Sequence, residues 1–77
     1  MEYTELKNRF TYHAPFGDQT ERYGNIRKQI LDLAVFLDGQ CPDSRELSLA
    51  ITKLEEVSFW ANASIARREW MPKEEDK

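Results

Sequence analysis

Gly39-Gln40-Cys41-Pro42-Asp43-Ser44-Arg45-Glu46 separates two amphipathic stretches. Glycine suits the left-handed conformation that closes a helix, and a proline just beyond it cannot continue one. Asp43 stands three residues ahead of Glu46, an aspartate variant of the capping box, in which two side chains satisfy free backbone N–H groups reciprocally. One helix is therefore expected to end at Gly39 and a second to start at Asp43. A link of roughly four residues forces the pair into an antiparallel hairpin.

Before this turn, residues from about Gln19 to Asp38 carry Tyr23, Ile26, Ile30, Leu33 and Leu37 at steps of 3, 4, 3 and 4, the seam of an amphipathic helix that Asp18 is placed to cap. Leu47, Ala50, Leu54, Val57 and Ala61 repeat the pattern in the second helix, which runs on toward Trp70 until Pro72 stops it. Both helices have apolar residues beyond these seams: Leu31, Ala34, Val35 and Phe36 in the first, Ile51, Phe59, Trp60 and Ile65 in the second. Two paired cylinders shield only one side of each. The surplus is expected to be covered by other copies in a homo-oligomer. The competing arrangement is a monomer in which residues 1–18 fold back over the hairpin, and so short an arm covers only part of it.

The fold class expected is all-α: an arm over residues 1–18, extended or a short helix, the hairpin over 19–71, and a charged tail over 72–77. Within the arm, Pro15 and Gly17 prevent one helical stripe from running through the aromatics Tyr3, Phe10, Tyr12 and Phe16. In 77 residues there is one cysteine, Cys41, so no internal disulfide staples the domain. The charged N-terminus has no signal-peptide core and no stretch has the ~20 apolar residues of a membrane span, so a soluble cytoplasmic protein is expected. Eleven Lys and Arg against 14 Asp and Glu give a formal charge of −3. That balance argues against binding of DNA or RNA polymers, which leaves a basic footprint.

No catalytic constellation is legible. His13 is the single histidine, Cys41 lies in the turn away from it, no metal-ligand spacing occurs, and Glu55 and Glu56, adjacent on a helix, point about 100° apart. An enzyme is not expected, nor a cofactor or metal. The basic residues say more. Arg22, Lys28 and Lys53 have carboxylates three or four residues away, at Asp18, Asp32 and Glu56, the spacing of surface pairs. Arg27, Arg67 and Arg68 have none at those spacings. Their planar forks are open either to phosphate or to a salt bridge with another subunit. In Arg9-Phe10-Thr11-Tyr12-His13-Ala14-Pro15, rings that stack on bases stand beside groups that hydrogen-bond or meet phosphate; the same Phe10 and Tyr12 could equally plug the end of the hairpin.

These stretches, Arg9 to Pro15 with Gly17-Asp18-Gln19, Cys41 to Glu46 running into Leu49 to Glu56, and Trp60-Ala61-Asn62-Ala63 with Ile65-Ala66-Arg67, resemble the small phage hairpin-domain family of anti-CBASS and anti-Thoeris sponges over roughly residues 8–68. The resemblance implies a phage-encoded protein of the host cytoplasm that disables bacterial immunity by sequestering cyclic nucleotide messengers intact. It further implies compact homohexamers that take cyclic dinucleotides such as cyclic GMP-AMP between subunits, and in some members cyclic trinucleotides in separate pockets. Carried onto this chain it makes Tyr12 a base contact, Arg27 or Lys28 the phosphate contact on the first helix, and Arg67 a further ligand arginine. The ligand-binding set expected is Arg9, Phe10, Tyr12, His13, Arg27, Lys28, Asn62 and Arg67. The alternative is an oligomeric phage protein that binds a host protein through Phe59 and Trp60 and takes no nucleotide.

Overall fold

The computed structural model describes residues 1–69, with three helices and no strand among them: α1 (Tyr3–Phe10), α2 (Gln19–Gln40) and α3 (Arg45–Arg68). The expected passage of α3 toward Trp70, the stop at Pro72 and the tail lie outside the described residues. No helix among the described residues is long and apolar enough to cross a membrane.

α2 and α3 form the hairpin. The link covers residues 41–44, and at the opposite end Gln19 and Arg22 of α2 reach Glu69, the residue that follows α3, so the helices run antiparallel. Two details of the turn differ from expectation. Gly39 is inside α2, which continues through Gln40, and the positive-φ residue among the described ones is Gly17, at φ 57°. Cys41 in extended conformation ends the helix instead, donating its backbone N–H to the Leu37 carbonyl over 3.0 Å. The cap of α3 is Ser44, not Asp43: the Ser44 hydroxyl accepts from the Leu47 N–H at 3.0 Å. A serine one residue nearer the helix meets the same need of the first turn without the longer aspartate reach. At the start of α2, Asp18 makes no side-chain cap; its carboxylate accepts from Arg22 Nε at 3.0 Å.

The inward face of α3 is Leu47, Ile51, Leu54, Ser58, Ala61 and Ile65, whereas Ala50 and Val57 of the expected seam are exposed. On α2, Tyr23, Ile26, Ile30 and Leu37 are half-buried as the seam requires, and Ala34 replaces Leu33 at its centre. Small residues, Ala34 on one helix and Ser58 and Ala61 on the other, are half-buried on the facing sides, while the larger Leu33 and Val57 are exposed. Leu47, 8% exposed, is the one buried apolar side chain among the described residues. The Cα envelope of 54 × 29 × 13 Å is hardly thicker than one layer of helices, so nothing lies over the outer faces. Leu31, Val35 and Phe36 on α2 and Leu49, Val57, Phe59 and Trp60 on α3 are exposed.

α1 is the short helical form of the arm. Its sequence Tyr3-Thr-Glu-Leu-Lys-Asn-Arg-Phe10 places Glu5 four residues before Arg9, a favourable helical pair at 2.6 Å. Ala14, restricted by Pro15, and Gly17 break the chain after it. α1 then docks on the end of α3 by polar groups. Asn8, buried, donates from Nδ2 to the Arg67 carbonyl at 2.9 Å, satisfying a last-turn acceptor that α3 cannot satisfy itself.

Candidate anion-binding grooves

Two grooves bring the chain's arginines together with aromatic side chains. The smaller, of about 360 Å³, is lined by Arg9 from α1 and by Trp60, Ala63, Ser64, Arg67 and Arg68 from α3. Its position follows from α1 docking: Asn8 holds the last turn of α3, and Arg9, the next residue, is carried to the arginines of that turn. Cations in the last turn are also favoured by the helix dipole.

One carboxylate organises this groove from its flank. Arg68 donates from Nη1 and Nη2 to the two oxygens of Glu5 at 3.0 and 3.1 Å, and Arg9 Nε donates to the same carboxylate. The Arg68 fork, and then Arg9, hold the Glu5 carboxyl down at about 2, and Glu5 raises the Arg68 guanidinium in return. Arg68 is thus not open, as its helical neighbours suggested: its partner comes from another helix of the same chain. Arg67 has no side-chain hydrogen bond or ion pair among the described residues.

The larger groove, about 690 Å³, opens between α2 and α3 and is lined chiefly by apolar side chains, among them Ile30, Leu31, Ile51, Leu54 and Phe59, with Arg27 and Lys28 on its α2 side and Glu55 on α3. Lys28 pairs with Asp32 at 3.2 Å, one of three surface pairs found as the spacing predicts, with Arg22–Asp18 at 3.0 Å and Lys53–Glu56 at 3.4 Å. Arg27 has no such partner among the described residues; its Nη2 lies over Gly24, 3.8 Å from where a Cβ would stand.

The expected site residues are therefore divided. Arg9 and Arg67 share the smaller groove, and Arg27 and Lys28 the larger. Phe10 and Tyr12 project into solvent, 86% and 81% exposed, and neither they nor His13 line either groove. His13 folds back on the arm: its Nε2 donates to the Asn8 carbonyl at 2.7 Å, a contact that fixes the bend after α1. Asn62 is half-buried in α3, with its Oδ1 buried and without a hydrogen-bond partner. Phe59 and Trp60, treated in sequence as one surface, serve different grooves because consecutive helical residues diverge by about 100°. Glu5, Trp60 and Ser64 were missed as groove residues; the Glu5–Arg9 spacing was the available signal for the first.

Comparison with curated proteins and with solved structures finds no match. A family model described as "Acb2/Tad1, hairpin domain" matches residues 2–66, a span that takes in α1, the whole hairpin turn and all but the last residues of α3. The chain belongs to the Acb2/Tad1 hairpin-domain family, the family of anti-CBASS and anti-Thoeris phage sponges that bind cyclic nucleotide messengers.

Proposed function

We propose that this protein is a non-catalytic sponge that acts in the host cytoplasm. It binds cyclic dinucleotides such as cyclic GMP-AMP, and in separate pockets cyclic trinucleotides, and withholds them intact from the effectors they activate. The observation that carries this reading is the pairing of an uncommitted arginine with an aromatic ring in each groove, Arg67 with Trp60 and Arg27 with Phe59. A guanidinium fork matches the oxygens of a phosphodiester, and a ring beside it offers a face to a base.

A single chain leaves both grooves open on the outside, and its outer apolar faces uncovered. A homohexamer supplies both wants: neighbouring copies cover the faces and bring the exposed Phe10 and Tyr12 of their arms, with the half-buried His13 behind them, to an Arg27 groove that lacks them in its own chain. Sequestration then depends on affinity alone.

Incubation with cyclic GMP-AMP, followed by denaturation and assay of the supernatant, tests the reading. Depletion before denaturation with intact ligand released afterwards is the expected result. Linear product identifies a phosphodiesterase instead. No depletion leaves the oligomer that binds a host protein.

A further inference from the structure

In the smaller groove the three arginines are not equivalent. Arg67 has every donor uncommitted among the described residues. Arg9 has spent only Nε, on Glu5, and its terminal nitrogens remain open. Arg68 has turned both terminal nitrogens to the Glu5 carboxylate in a two-pronged grip at 3.0 and 3.1 Å. A carboxylate and a phosphodiester present the same pair of acceptor oxygens to a guanidinium, so the two compete for that edge of Arg68.

We propose that Glu5 is the resident counter-ion of this groove, a specificity-determining residue that a phosphate must displace to engage Arg68. The inference rests on the anion-binding reading given above. Glu5 offsets one of the three positive charges that each chain brings to the groove. With Glu5 neutral the full charge is available, and the balance moves toward ligands carrying more phosphodiesters. Whatever number of copies completes the pocket, each Glu5 subtracts one charge from it, so the direction of the effect is independent of the assembly.

The test is Glu5→Gln, which keeps an acceptor for Arg68 and removes the charge. At low salt the variant is expected to bind cyclic GMP-AMP about three- to tenfold tighter than wild type, the scale of one charge a few ångströms away screened as in water. The gain should be larger for a cyclic triadenylate, and should shrink at 0.5 M salt. Equal or weaker binding by the variant overturns the proposal. Inorganic pyrophosphate separates this inference from the messenger reading. If wild type binds no cyclic nucleotide yet Glu5→Gln gains affinity for pyrophosphate, the sponge function fails and the counter-ion role stands. A second measurement needs no variant: on adding pyrophosphate to wild type, the carboxyl carbon resonance of Glu5 should move together with the Arg68 side-chain signals. A Glu5 resonance that stays still while Arg67 responds overturns the displacement.

Discussion

Arg22 of α2 grips Glu69, beyond the end of α3, through both terminal guanidinium nitrogens: Nη1 to Oε2 at 2.9 Å and Nη2 to Oε1 at 2.5 Å. Gln19, 2% exposed and the most buried side chain of the described residues, donates to the same carboxylate at 3.0 Å, while its own carbonyl oxygen accepts the Phe16 N–H at 3.1 Å. The open end of the hairpin is thus tied by charge and amide groups, where the closed end is tied by the chain itself. Glu5 and Arg68 repeat the device between the arm and the residue next to Glu69.

Acid should loosen these ties. The Arg22 hydrogen bonds, and then Gln19, hold Glu69 at about 2 against an ordinary value of 4.5, and Glu5 lies equally low. A carboxyl whose folded value is depressed contributes stability in full above its unfolded value and loses it as pH falls through the folded one. The thermal midpoint followed by circular dichroism should accordingly hold steady near neutrality and fall between about 4.5 and 2. Glu69→Gln should begin lower at pH 7 and show a shallower acid decline. Equal acid slopes in the variant and wild type would falsify the assignment.

The two helices and their turn were legible because hydrophobic period and breakers report local geometry directly. What sequence did not fix was rotation about each helix axis. Apolar residues surround α3 so widely that Leu47-Ala50-Leu54-Val57 and Leu47-Ile51-Leu54-Ser58 both make acceptable stripes. Packing chose the second, with Ile51 and Ser58 half-buried and Ala50 and Val57 exposed. The same limit split the site: intrahelical spacing found Lys28–Asp32 and left Arg27 and Arg67 open, but could not see Glu5 reaching Arg68 across 63 residues. A partner on another helix leaves no trace in spacing.

Leu47→Ala should be the most damaging single truncation in the hairpin. Leu47 is 8% exposed where Leu54 and Ile51 are only half-buried, and it sits one turn after the Ser44 cap that starts α3. Removing three buried carbons costs about 2–3 kcal/mol at such a site. Urea unfolding should show that loss, with Ala50→Gly smaller at about 1 kcal/mol, the helical cost of an exposed glycine.

Arg67→Ala should separate binding from folding. The Arg67 side chain supports no intrachain ion pair among the described residues; only its backbone carbonyl is used, by Asn8, and alanine keeps it. Helicity and thermal midpoint should therefore stay close to wild type while affinity for cyclic nucleotides falls about tenfold or more, the cost of a charge-assisted phosphate contact. Arg68→Ala is the contrasting variant. It frees α1 from its Glu5 anchor, so amide exchange over residues 3–10 should accelerate. If Arg67→Ala binds as wild type does, the smaller groove is not where the ligand sits.

Assembly can be tested at a residue that neither groove uses. Val35 lies on the outer face of α2, 63% exposed, four residues after the equally exposed Leu31 and beside Phe36. In a monomer an aspartate there costs little, since the side chain already stands in water. Between copies it buries an unpaired charge, which costs several kcal/mol at each interface it enters. Wild type should sediment as a hexamer, with a thermal midpoint that rises with concentration. Val35→Asp should sediment as smaller species at the same concentration, and lose affinity for any messenger whose pocket needs a second chain. A wild type that stays monomeric at high concentration, or a Val35→Asp hexamer as stable as the parent, removes α2's outer face from the assembly.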